Sequence, residues 1–397
     1  MKIDQLSRVK QVLFFIAIAL TVLISDAAMI YTPLLNDLYE AFPGQEGAMN
    51  LFVSLPSFVL IISSLIVPPV INKMGRKVTL LAALVLAVIS GVAMSFGSSA
   101  WYLVGMNVLN AVAQGFVNVG AVIIITDYIA GEAYRAKITG WYCVGVSLGA
   151  TVLPIIAGNL GINGWQAGFS AYWLFLLPLL LCIFFVPSDK AAGCVAAEAE
   201  EKTVRSKAPF GKRFILFSLL LIFYYSLNNS YTWYYSVYVD ELALGDTAFA
   251  GLVGSACNFA GMLTGLVFAT LLKAWKKRMA FVCYVVVAVG LALLNLFPSR
   301  VIALACSALL GGTIGLIYPF AFALCPAVCP AEKQNQAIAV VTAISGIGGL
   351  LAPYWVSFGM QIFGSYRAFL LGIAVLMAVV AAVEFISSSH DKVGETA

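Results

Sequence analysis

The chain has 397 residues, 62% of them hydrophobic and only 10% charged, and a formal net charge of +4. Soluble domains carry roughly 45–50% apolar and about 25% charged residues, so this composition cannot clothe a water-soluble fold. A soluble enzyme and a nucleic-acid binder are set aside at once, and the lipid bilayer is the solvent that fits.

Apolar stretches are predicted to form spans at 12–33, 49–71, 78–96, 101–125, 138–160, 166–186, 214–239, 249–272, 279–297, 301–325, 335–358 and 366–388. Each has the length needed to cross about 30 Å of hydrocarbon at roughly 1.5 Å per residue. The expected fold is an all-α membrane protein of twelve transmembrane helices. Of the 22 Lys and Arg residues, only Arg300 and Arg367 lie in odd-numbered loops. By the positive-inside rule the even loops and both termini are cytoplasmic, which suits a multi-pass protein of the cell (inner) membrane. Lys2, Arg8 and Lys10 precede the first apolar run as they would in a signal peptide. That run is too long for one, contains Asp26 and is followed by eleven more spans, so it is read as a retained helix.

In chain order, the first span carries Asp26, short of its outer end at Pro33. An aspartate in hydrocarbon costs about 2.5–3.5 kcal/mol on the insertion scale, so it is a functional candidate by default. Desolvation favours the neutral acid, and a carboxyl that loads and releases a proton is what proton coupling needs. Pairing with a cationic substrate, or bonding to a neighbouring helix without titrating, are the alternatives. The next cytoplasmic loop holds Gly75-Arg76-Lys77. The fourth span places Asn107, Asn110, Gln114 and Asn118 at spacings of three, four and four, on one helix face. Amides cannot face lipid unbonded, so the stripe is expected to line a wet cavity or to bridge helices. In the fifth span Gly140, Gly145, Gly149 and Pro154 suggest close backbone approach and a hinge, or packing alone.

Residues 187–213 are Ala-, Glu- and Lys-rich and without apolar periodicity. They read as a cytoplasmic linker between an N-terminal six-helix bundle (1–186) and a C-terminal one (214–397). The seventh span is dense in aromatic residues from Phe223 to Tyr238, and Tyr224, Asn228, Tyr231 and Tyr235 share one face. Ring faces with hydroxyl and amide tips suit a planar or cationic solute. Packing, with Tyr234 and Tyr238 in an interfacial belt, is the plainer alternative. Cys325 and Cys329 are four apart but have no companion histidine, so no metal and no cofactor are expected. The eleventh span has Gly346, Gly348, Gly349 and Pro353, read likewise as close backbone approach and a hinge, or as packing alone, and the twelfth has Glu384, close enough to its inner end to snorkel.

The two halves echo one another. Gly75-Arg76-Lys77 answers to Lys276-Lys277-Arg278, Gly149 and Pro154 to Gly348 and Pro353, and Gly164 to Phe169 to the run Gly364 to Phe369. Three features in one order indicate duplicated units, hence two pseudo-symmetric six-helix bundles, with Asn228 expected where Asp26 lies in the first half.

The run Pro68 to Leu80, with Gly75, Arg76 and Lys77 at its turn, resembles the loop signature of the major facilitator superfamily, and the resemblance extends over the whole chain. Pro68 and Asn72 depart from that signature, the second replacing an aspartate thought to steady one gated state. Gln114-Gly115 is similar to part of the drug/proton antiporter signature, but Ala111 stands where that branch has arginine. The resemblance implies a transport path lined by the fourth span and by the tenth, where Thr313 and Tyr318 are the polar candidates. It also implies gating at Gly75, Arg76 and Lys77.

The sole histidine, His390, lies in the terminal tail, and no hydrolase, metalloprotease or phosphate-loop motif occurs, so no enzyme is expected. The resulting expectation is a monomeric, proton-coupled, alternating-access carrier that exports small lipophilic neutral or cationic compounds. Uptake of a neutral metabolite such as a sugar or nucleoside-like solute is the second reading, and a receptor without transport the third. The partners are then a small-molecule substrate, protons and the bilayer.

Overall fold

The computed structural model describes residues 8–128, 132–187, 212–328 and 334–389, and every regular element among them is helical. Gly140 lies in a described helix whose side chains there are not described, as do Cys325 and its neighbours. Cys329, His390 and nearly all of the 187–213 stretch lie outside the described residues.

The first span is broken. Helix Arg8–Ser25 stops at Asp26, and short 3-10 turns at Ala27–Ile30 and Thr32–Leu34 lead into helix Leu35–Ala41. The two arms meet at 58°. Pro33 supplies part of the cause, since it lacks an N–H and disfavours a helical residue before it. The second span, Glu46–Met74, ends at Gly75, and the third, Arg76–Met94, begins at the next residue. So abrupt a reversal needs a left-handed residue, and Gly75 has φ +87°. The fourth span is Ala100–Tyr128, and the fifth, Glu132–Gly161, runs unbroken through Pro154. The sixth runs from Trp165 to Phe185, with a 3-10 stretch at Ser170–Phe175.

The second half repeats this order. Its first helix, Lys212–Thr232, also breaks, at Trp233 and Tyr234, before resuming as Tyr235–Glu241. Thr247–Leu266 and Phe268–Trp275 form the eighth span, with Asp246 capping its start by accepting from the Phe249 N–H at 2.9 Å. Met279–Leu296, Arg300–Val328, Gln334–Phe363 and Tyr366–Ser389 complete the twelve, the eleventh running unbroken through Pro353.

The chain divides into two compact units, Met1–Glu200 and Glu201–Ala397. Within the first, span 1 packs on span 5, and spans 2 and 3 on span 4; within the second, span 7 packs on span 11, and spans 8 and 9 on span 10. The same pairing recurs for spans 3 and 6 and spans 9 and 12, so the duplication is structural as well as sequential. Large apolar side chains such as Phe184 (75% exposed) and Val301 (74%) stand outward, which only a lipid surroundings satisfies. The interiors are largely apolar but also bury polar side chains, among them Asn107, Asn110, Asn228 and Thr313.

Candidate functional site

Asp26 sits at the break of the first span rather than inside a regular helix, with φ −118° and ψ 31°. Its side chain caps no backbone N–H, and its Oδ2 is buried with no hydrogen-bond partner. The unwound turn beyond it is held from outside: Tyr172 of the sixth span donates to the Ala27 carbonyl at 3.1 Å. The Thr32 hydroxyl ties back to the Met29 carbonyl at 3.0 Å. Tyr31 meets Phe52 of the second span edge-to-face at 4.9 Å between ring centres.

The amide stripe of the fourth span divides in two. Asn110 donates to the Ala87 carbonyl (3.1 Å) and the Ser90 hydroxyl (3.2 Å) of the third span and accepts from Gln114 at 3.0 Å. Both of these side chains are buried, and Asn110 acts as the bridge between helices. Cavity lining, expected from the spacing, therefore does not describe Asn110. Asn107 also crosses to a neighbour, donating to the Phe52 carbonyl at 2.8 Å, but its Oδ1 is buried and has no partner. Asn118 is half-buried. Spacing alone gave the shared face but not which neighbour takes each amide.

In the second unit the seventh-span face is a packed hydroxyl network. Tyr224 and Thr313 lie 2.6 Å apart, Tyr231 and Ser307 likewise 2.6 Å, and Asn228 donates to the Tyr224 hydroxyl at 3.4 Å. Tyr235 is buried and packs against Gly254, where no Cβ would fit beside its ring. Tyr234 and Tyr238 are fully buried, so they form no interfacial belt; the Tyr238 hydroxyl bonds to the Leu294 carbonyl at 2.7 Å. Tyr284, which sequence reasoning missed, packs its ring 5.5 Å from that of Tyr224. A single tyrosine in a ninth span whose only strongly polar residue is Asn295 was the available signal.

Several expectations are corrected here. Asn228 does not take the place of Asp26: it lies within the continuous helix Lys212–Thr232, ahead of the break at Trp233 and Tyr234. Glu384 does not snorkel, being 2% exposed beside Tyr284. Tyr318 is 39% exposed, on a different side of its helix from buried Thr313. Gly348 is a contact residue, since a Cβ there would collide with Tyr225 of the seventh span. At the loop, Arg76 is buried and Lys77 donates to the Ile183 carbonyl at 2.8 Å, so neither is a freely solvated charge. Among the described residues no group of three or more His, Cys, Asp or Glu is gathered for a metal.

A buried polar atom without a hydrogen-bond partner costs about 1–3 kcal/mol, and Asp26 Oδ2 at the break of the first span is one of them. Broken helices in a duplicated helical membrane fold are a build that transporters use, and the class is a multi-pass membrane transporter. The comparisons give the family. The family model described as Major Facilitator Superfamily matches residues 14–353 and 234–394, and the chain belongs to that family. It is 23% identical over 364 residues to the "Multi-drug resistance efflux pump PmrA homolog" of Lactococcus lactis subsp. lactis (strain IL1403), covering 84% of each chain. A shorter match, 26% identical over 165 residues, joins 40% of this chain to 39% of the uncharacterized MFS-type transporter YwfA of Bacillus subtilis (strain 168). The fold is similar to that of a bacterial homolog of the human lysosomal transporter Spinster, with a TM-score of 0.77 at 14% identity over 97% and 98% of the chains. It is similar also to a nucleoside transporter, NupG, with a TM-score of 0.76 at 11% identity over 94% and 99%.

Proposed function

We propose that this chain is a proton-coupled exporter of small lipophilic neutral or cationic compounds, working by alternating access in the cell membrane with both termini cytoplasmic. One observation carries the reading: Asp26 presents a buried, unpartnered carboxylate oxygen at the break of the first span. A carboxyl so placed exchanges a proton with little side-chain rearrangement, because no bond has to be broken first. The break sets the carboxyl outside a regular helical stretch, at the junction of two helical arms. Each proton crossing a potential of 100 mV supplies roughly 2.3 kcal/mol for uphill export. The likeness to a multidrug efflux pump supports export over uptake.

The test uses purified protein in proteoliposomes, an imposed pH gradient and the dye ethidium. Asp26→Asn should abolish gradient-driven movement while leaving downhill exchange of the dye intact. Undiminished gradient-driven flux in that variant would remove Asp26 from coupling.

A further inference from the structure

Spans 2 and 3 are joined at Gly75 and both lean on span 4, touching one another far less than either touches it. They leave a cleft of about 150 Å³ beside the turn. Val70 and Met74 of span 2 form one wall and Ala82 and Leu86 of span 3 the other, while span 4 contributes Val112 and Phe116. Alanine at 82, 83 and 113 leaves the room that larger side chains would fill. The one hydroxyl in the lining, that of Thr79, donates to the Gly75 carbonyl at 2.7 Å. An apolar cavity of about this size stays dry and takes up a hydrocarbon group of roughly benzene's bulk.

The cleft opens toward lipid. Along span 3, Val78, Ala82, Val85 and Ile89 recur at four, three and four and are all exposed, and Ala82 belongs to the cleft as well. Along span 2, Ile62, Ile66, Pro69 and Lys73 repeat the same spacing and the same exposure. This second stripe is apolar until its last member. There Lys73 stands in the last turn of the helix, between Val70 and Met74 of the cleft wall. Lys77 is also at the turn, but it is half-buried and donates to the Ile183 carbonyl at 2.8 Å. No aspartate or glutamate occurs from Gly47 to Thr126, so the helices around the cleft offer Lys73 no carboxylate there.

We propose that this cleft binds an anionic phospholipid of the leaflet that meets the Gly75 turn, with one acyl chain in the cleft and the phosphate on Lys73. Apolar walls open to hydrocarbon take an acyl chain, and a lysine at the end of a lipid-facing stripe extends its ammonium to the headgroups. A zwitterionic headgroup brings a cation of its own, for which these helices hold no anion. A lysine near the membrane surface favours anionic lipid by about fivefold. A soluble phosphate ester would meet the lysine and leave the cleft unfilled. The site lies wholly within the first unit and needs neither a direction nor a coupling ion for transport, so it goes beyond the function proposed above.

Native mass spectrometry of the purified protein in a neutral detergent tests it, with dioleoyl phosphatidylglycerol and dioleoyl phosphatidylcholine added in equal amounts. Phosphatidylglycerol should be retained about fivefold more than phosphatidylcholine. Lys73→Gln should bring that ratio toward one. Lys73→Arg should preserve it, which shows that the position tolerates replacement. Lys273→Gln, which removes an exposed lysine of the second unit, should leave it unchanged. Ala82→Phe, which fills the cleft from an exposed position, should lower the retention of both lipids. Equal retention of the two lipids by the parent, a ratio that survives Lys73→Gln, an equal loss in Lys273→Gln, or undiminished retention in Ala82→Phe would overturn the proposal. So would displacement of phosphatidylglycerol by an equimolar amount of glycerol phosphate, since the site would then recognise an anion without its chain.

Discussion

Tyr172, on the sixth span, donates its phenolic hydrogen to the carbonyl of Ala27, the residue after Asp26, at 3.1 Å. A helix broken in hydrocarbon frees backbone groups that must find partners within the protein. This tyrosine therefore holds the broken segment in place from another span. Tyr172→Phe keeps the ring against Phe175 (5.2 Å) and Phe169 (6.2 Å) and removes only the hydroxyl. Leaving the buried carbonyl unmet should cost about 1–3 kcal/mol. Thermal unfolding in detergent should show a fall of several degrees, and an unchanged midpoint would show that the turn is held by packing alone.

The Asn110 and Gln114 side chains act as a unit between the third and fourth spans, the glutamine donating to the oxygen of the asparagine whose nitrogen reaches Ala87 and Ser90. Asn110→Leu breaks the bonds to the third span and strands Gln114, so its cost should exceed that of Gln114→Leu. The double variant should be less destabilised than the sum of the two, with a coupling of about 0.5–3 kcal/mol. Strict additivity in chemical denaturation would deny the network.

The twelve spans were legible because hydropathy depends only on which residues enter lipid, and that is local information. The Gly75 turn was legible for a similar reason, since the chain reverses between Met74 and Arg76. The breaks at Asp26 and at Trp233 and Tyr234 were not: Pro33 marks only part of the first, no proline or glycine marks the second, and span-length hydropathy does not report where the ladder is interrupted. The partners of Asn107 and Asn110 were equally hidden. Periodicity shows which side chains share a face of one helix, while the helix that meets this face is set by tertiary packing. Tyr234 and Tyr238 illustrate the same limit, being aromatic and near a span end yet buried by tertiary contacts.

Gly75 joins two spans with a single residue at φ +87° and ψ 159°. Gly75→Ala would place a Cβ in a conformation that is almost confined to glycine, at a cost of about 1–3 kcal/mol. Stability should fall by that amount, because the turn is needed by both helices. If Gly75→Ala unfolds like the parent, the turn has relaxed to another conformation.

The eighth and tenth spans approach through glycines, which gives a set of substitutions with opposite signs. A Cβ on Gly311 would overlap the Cys257 carbonyl, and one on Gly315 would overlap that of Gly261. In both cases the obstacle is backbone, so the helices must separate, and this would strain the 2.8 Å bond from the Thr264 hydroxyl to the Gly312 carbonyl. Gly311→Ala and Gly315→Ala should each destabilise by about 1–3 kcal/mol. Gly105, inside the fourth span, has nothing within 4 Å of where a Cβ would be. There alanine only improves helix propensity, and Gly105→Ala should stabilise by about 0.5–1 kcal/mol. Thermal melts of the three variants side by side separate close helix approach from a general intolerance of glycine replacement. If all three moved in the same direction, the contact between spans 8 and 10 would not be the reason those glycines are there.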